Sequence, residues 1–173
     1  VLLPILTFVG SGYHMALGGA KPVPVNPRLY RNVRRGDIIV SLAGIAANCV
    51  LAVLFTLLVV PVGVLGHAVP ALSQFLAILQ GMFVYGVTIN LVLAAFNLIP
   101  IPPLDGSHVL THLLPLSWAL RYQQVGRYGI ILLIAILSFA RPVVNLWMSP
   151  VFALSDLALR AVAPFVLASP WPI

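Results

Sequence analysis

The sequence predicts an all-α polytopic membrane protein with roughly four to five helices that cross or enter the bilayer. Three observations carry this. Of the 173 residues, 61% are hydrophobic and 7% are charged, and the mean hydropathy is +1.10; a soluble domain carries about 25% charged residues. Residues 37–60 and 71–99 are apolar runs that meet the roughly 20 residues a bilayer-spanning helix needs. Basic residues lie mainly between such runs, with Lys21, Arg28, Arg31, Arg34 and Arg35 crowded together and no Lys or Arg at 61–70. The net charge of +6 is therefore a topology and anionic-lipid signal, and nucleic acid is not an expected partner. Residues 1–173 read as a single, partial membrane domain with no soluble domain and no internal repeat.

Taken in order, residues 1–20 read as the end of a membrane helix fraying through Gly10, Gly18 and Gly19. Val1 lies inside an apolar run with neither an initiator methionine nor a basic n-region, so a cut through a longer protein is expected there. The end at Pro170-Trp171-Pro172-Ile173 fits either a true terminus or a second cut. Residues 21–36 form a basic, Pro-rich loop, because prolines at 22, 24 and 27 exclude a helix. Residues 37–60 follow as a transmembrane helix with Asp37 as its N-cap. Its first half holds Ser41, Ala43, Gly44, Ala46 and Ala47, which allow another helix to approach closely. Cys49, the one cysteine, is a small packing residue in this run.

Residues 61–70 are expected to form a short loop. A second long helix covers 71–99, with Gly81 and Gly86 as candidate bends, and Pro100, Pro102 and Pro103 end it. A short helix runs from about Asp105 or Ser107 to Leu114, stopped by Pro115. The next apolar run, 128–140, is short for a span unless it begins near Trp118. Residues 143–168 are amphipathic, with Asp156 and Arg160 at i,i+4, and form either an interfacial or a last membrane helix before the tail. The basic loop puts 21–36 in the cytoplasm and 61–70 outside, which returns residues 100–127 to the cytoplasmic side.

The chemistry concentrates in Asn97-Leu98-Ile99-Pro100-Ile101-Pro102-Pro103-Leu104-Asp105-Gly106. Asp105 follows a long apolar segment in a chain whose other acids are Asp37 and Asp156, with no glutamate. An ionised Asp at bilayer depth costs about 2.5–3.5 kcal/mol unless paired. A cation, such as a metal ion, is its natural partner.

This N-x-x-P-x-x-P-x-D-G pattern resembles the second signature of the site-2 protease family, intramembrane zinc metallopeptidases of the M50 type. Ala20-Lys21-Pro22-Val23-Pro24-Val25-Asn26-Pro27 resembles that family's A-K-P-V-P-V-N-P loop. Ser41-Leu42-Ala43-Gly44-Ile45-Ala46-Ala47-Asn48 resembles its A-G-P-x-x-N motif, with Ile45 in place of proline. Together the three matches span about residues 15–115, in the family's order. The resemblance implies Asp105 as a zinc ligand, Asn97 as a positioning group, and residues 21–26 beside the substrate path. It implies zinc as cofactor and hydrolysis of peptide bonds in or near transmembrane protein substrates. The setting implied is the lipid bilayer of a bacterial cytoplasmic membrane, with the site near the cytoplasmic face.

The family's other zinc ligands come from an H-E-x-x-H helix, where two His at i,i+4 share one face and the Glu stands near the bound water. No such motif occurs here, and a chain without glutamate cannot hold that base. The remaining ligands are thus expected outside this chain, upstream, and the piece alone is expected to be inactive. The rival expectation is a non-catalytic pseudoprotease, or a membrane scaffold or transport component, with the same fold.

Other polar residues have plainer roles. His108 and His112 share a helix face near Asp105, so a metal site of these three is geometrically possible, although surface or packed histidines are the simpler account. His14 and His67 are expected at the membrane interface. Asn48 and Asn90 need partners in lipid and are expected to bond between helices.

Overall fold

The computed structural model describes residues 32–168. The expectations about residues 1–31, including His14 and the 21–26 loop, and about 169–173 lie outside these. Every regular element among the described residues is helical. Helix α1 spans Val33–Ala68, α2 Ser73–Asn97, α3 Asp105–Leu113, α4 Leu116–Val125, α5 Gly129–Phe139 and α6 Arg141–Val162, with 3-10 turns at Pro70–Leu72, Gly126–Tyr128 and Ala163–Phe165. Among the described residues, four stretches are long and apolar enough to cross a membrane: Val33–Ala68, Pro70–Asn97, Leu116–Phe139 and Arg141–Phe165. The chain is thus an all-α, multi-pass membrane protein. Lipid offers backbone groups no hydrogen bonds, so apolar runs of this length close their own as helices.

Two expectations about α1 are corrected. Its N-cap is Asn32, whose side chain accepts a hydrogen bond from the Arg35 amide at 3.2 Å. Asp37 lies in the helix beyond the first turn and is free to act elsewhere. The helix also continues through the expected 61–70 loop to Ala68, with Pro61 inside it and His67 in its last turn. Residues 61–68 are mostly apolar, so continued helix is the backbone conformation that lipid favours despite the missing Pro61 N–H. At 36 residues, α1 is about 54 Å long. That exceeds the ~30 Å hydrocarbon core, so its ends project or the helix tilts.

Helix α2 is the centre of the fold. Its buried face, from Leu76 and Ala77 through Val84, Val87 and Leu91 to Ala94, packs against α1 and α6. One cluster joins Ala52, Val87 and Leu91, another Val59, Val84 and Val162, and a third Leu76, Ala77 and Leu167. The α2 helix is continuous through Gly81 and Gly86. Gly86 admits the Phe55 ring, which a Cβ there would meet at 2.6 Å. Phe55 stacks in turn on Phe83, with ring centroids 5.7 Å apart.

Polar groups join the layers at few points. Thr88 and Ser155 hydroxyls lie 2.8 Å apart between α2 and α6. Gln80 is 1% exposed. Its amide nitrogen donates to the carbonyls of Val59 (2.8 Å) and Phe165 (2.9 Å), and its oxygen accepts from the Leu167 N–H (2.8 Å). Gly63 makes room for this knot: a Cβ there would collide with the Phe165 carbonyl. Asn90, expected to bond between helices, instead donates to Gly86 O in its own helix at 2.8 Å. An amide four residues above a carbonyl reaches it without a second helix.

From Leu116 to Phe165 the chain is almost wholly helical. Helices α4 and α5 are joined by a single 3-10 turn, so the stretch begins at Leu116 and is long enough to span. Helix α6 packs through Val151, Ala158 and Val162 on the α1–α2 pair, while Asp156 and Arg160 form an exposed i,i+4 pair at 2.8 Å.

Candidate functional site

The motif ending in Asp105 forms a tight connection between α2 and α3. After Asn97 closes α2, Ile99 N–H donates to Phe96 O at 3.1 Å, Ile101 N–H to Ile99 O at 2.8 Å, and Leu104 N–H to Ile101 O at 2.9 Å. Pro100, Pro102 and Pro103 have no N–H to satisfy, so the loop settles its hydrogen bonds locally. Asp105 is then the first residue of α3, where a carboxylate is favoured by the helix dipole.

Neighbours hold this loop on two sides. Tyr122 Oη donates to the Pro100 carbonyl at 2.8 Å. Pro102 lies against the 3-10 turn: a Cβ on Gly126 would be 3.5 Å from its ring, and one on Gly129 would collide with its carbonyl. Beyond Pro100 and Ile101, toward Leu133 and Trp147, lies an apolar cavity of about 190 Å³, which offers no ligand or base.

Gly106 explains the glycine of the D-G pair. A Cβ there would collide with the Leu98 carbonyl oxygen and lie 2.8 Å from that of Ile99. The first turn of α3 is seated directly on the exit of α2, and only glycine fits. We predict that Gly106→Ala displaces that turn and destabilises the protein by about 1–3 kcal/mol, the usual range for overpacking. Thermal unfolding in detergent checks this; an unchanged midpoint would contradict the contact.

Asp105 is half-buried and turned toward α1, with Oδ2 3.6 Å from where a Cβ on Gly44 would stand. Two segments singled out in the sequence, 41–48 and 97–106, thus meet in space. Gly44 is exposed on its open side and leaves room beside the carboxylate. Asn97 and Asn48 are half-buried, and among the described residues neither they nor Asp105 make a side-chain hydrogen bond.

Sequence reasoning missed the arrangement one level along. Asp37 Oδ2 lies 2.7 Å from His112 Nε2 and 3.3 Å from His108 Nδ1, so α1 supplies the partner of both histidines. The geometrically possible grouping of these histidines with Asp105 does not form; both face Asp37 instead. Gln80 was also missed; an amide in the middle of an apolar helix was the available signal.

A zinc centre takes about four ligands. Asp105 offers one oxygen donor that is uncommitted among the described residues. No group of three or more His, Cys, Asp or Glu side chains there is arranged to hold a metal. Asp105 therefore fits as one ligand, and a complete centre requires donors from outside residues 32–168.

Comparison with known proteins adds the context. The model of "Peptidase family M50" matches residues 5–140. The chain is similar to "Putative zinc metalloprotease YwhC" of Bacillus subtilis, with 35% identity over 120 residues, covering 69% of this chain and 53% of that protein. The chain spans about half the length of this curated relative. No solved structure matches.

Proposed function

The chain belongs to peptidase family M50, and on that premise we propose that it contributes Asp105 as a zinc ligand to an intramembrane metallopeptidase. The carrying observation is the meeting of Asp105 with Gly44 inside a multi-pass helical protein of that family. A half-buried carboxylate that finds no partner among its described neighbours is suited to a cation. The substrate class is a protein segment within or next to the bilayer. Its peptide carbonyls are bonded internally while helical, so it must unwind locally before cleavage.

In this reading Asp105 holds the metal and Asn97, at the end of α2, positions the Asp105 loop or the substrate backbone. Bound zinc supplies a water activated near neutral pH and polarises the scissile carbonyl. The remaining ligands and the general base come from residues other than 32–168. The site is taken to open toward the cytoplasm, because Arg34 and Arg35 stand in the first turn of α1 and Arg121 and Arg127 lie in and just after α4.

The test is metal removal from the full-length natural protein in nanodiscs. It is expected to hold about one zinc per chain and to cleave a reporter bearing a transmembrane segment. 1,10-Phenanthroline should abolish cleavage and added zinc restore it. A protein that retains no zinc and cleaves nothing after zinc addition has the rival, non-catalytic role.

A further inference from the structure

Helix α3 meets α1 along one face. Asp105, His108 and His112 are spaced i, i+3, i+7 and share a side of α3. On α1, Asp37, Ser41 and Gly44 are spaced i, i+4, i+7; Ser41, 6% exposed, is buried between the other two. Contacts pair the ends in antiparallel order, Asp37 with His112 and His108, Gly44 with Asp105. Seven residues of helix separate Asp37 from Gly44, so the histidine contact stands about 10 Å along α1 from Asp105.

An ionised carboxylate only accepts hydrogen bonds, so the imidazole atoms facing it are N–H donors. His112 Nε2–H donates to Asp37 Oδ2 at 2.7 Å, and His108 Nδ1 approaches the same oxygen at 3.3 Å, a weaker contact. The His112 side chain is 22% exposed and that of Asp37 30%, so the stronger bond is partly shielded from water. Helix α3 has nine residues, too few to be stable alone. Its position depends on its anchors, and among the described residues the hydrogen bond that ties it down on the α1 side is this one.

We propose that Asp37 and His112, supported by His108, form a latch that fixes α3 on α1 and thereby sets the position of the Asp105 carboxylate. They are positioning residues and touch neither metal nor substrate. The zinc part of the proposal rests on the reading of Asp105 as a ligand; the latch itself does not.

The experiment uses the full-length protein in nanodiscs, with amide hydrogen exchange of residues 105–113 as the first readout. Asp37→Ala and His112→Ala should each accelerate exchange there about tenfold, the scale of one charge-assisted hydrogen bond. The double variant should be no worse than Asp37→Ala alone, because that substitution already removes both histidine contacts. His112→Gln, which keeps an N–H at nearly the same place, should restore most of the protection. The second readout is zinc transfer to a chelator, expected to be about tenfold faster in the alanine variants and near normal in His112→Gln. Unchanged exchange in both single variants, or fully additive effects in the double, overturns the latch. If exchange responds as expected while Asp105→Ala keeps its zinc, the latch stands and the ligand reading falls. If Asp105→Ala loses zinc while exchange of 105–113 is unaffected by Asp37→Ala and His112→Ala, the latch alone is overturned.

Discussion

Asp105→Ala is expected to strip zinc from the full-length protein and to lower cleavage more than about 100-fold, while leaving the metal-free fold about as stable as before. The two outcomes have separate causes. Among the described residues Asp105 makes no hydrogen bond or ion pair, so removing it breaks none there and gives up about 0.3–1 kcal/mol of helix-dipole stabilisation at the start of α3. It also takes away a half-buried charge whose desolvation costs stability. For the metal nothing offsets the loss: losing even the partners that orient a ligand costs 10–100-fold in affinity or activity, and losing a ligand costs more. Zinc stoichiometry, reporter cleavage and the thermal unfolding midpoint of the same preparation check this. An Asp105→Ala protein with normal zinc content would end the ligand assignment. One that loses zinc together with a large drop in its metal-free midpoint would show that Asp105 has structural partners.

Gln80→Leu is expected to have the opposite profile, a large loss of stability with no direct effect at Asp105. Leu fills nearly the same volume but makes none of the three hydrogen bonds of Gln80. The Leu167 N–H is left as a buried orphan donor, and the Phe165 carbonyl loses its donor. Orphaned buried groups cost about 1–3 kcal/mol each, although hydrogen bonds inside membrane proteins average nearer ~0.6 kcal/mol when both partners can find substitutes. The segment after α6 has little freedom to find them, because Leu167 packs on Gly66 and against Leu76 and Ala77. A net loss of about 2–4 kcal/mol follows. Hydrogen exchange should rise first at residues 163–167 and the unfolding midpoint should fall. Exchange at 163–167 equal to wild type would contradict the knot.

These two residues also mark what a sequence can show. Asp105 stood out because an acid after a long apolar run is costly and conspicuous, and because its flanking prolines and glycine form a local pattern. Gln80 has no such pattern around it; its partners lie at Val59, Phe165 and Leu167, and separations of that length leave no trace in a window of neighbours. Asp37 shows the same limit from the other side. As an acid before an apolar run it fits the N-cap pattern, yet Asn32 takes that place and frees Asp37 for His112, a residue 75 positions away.

The boundaries of α1 differ for another reason. Residues 61–70 contain Pro61, Gly63 and Gly66, which disfavour a helix in water. In lipid the helix continues, because a broken helix would leave carbonyls and amides with nothing to bond. The two glycines serve instead as the seat of the 163–167 segment.

By itself the sequence determined that this is a polytopic helical membrane protein, that its second long helix ends at the prolines, and that Asp105 is the acid to explain. Each of these follows from composition or from contacts within a few residues, where hydrophobicity and backbone sterics act directly. The tertiary structure alone decided that Gly44 lies beside Asp105, that Asp37 joins His112, and that Gly106 must be small. Those facts depend on which faces of α1, α2 and α3 meet. Helix packing fixes that only when the buried surfaces of all three are satisfied together.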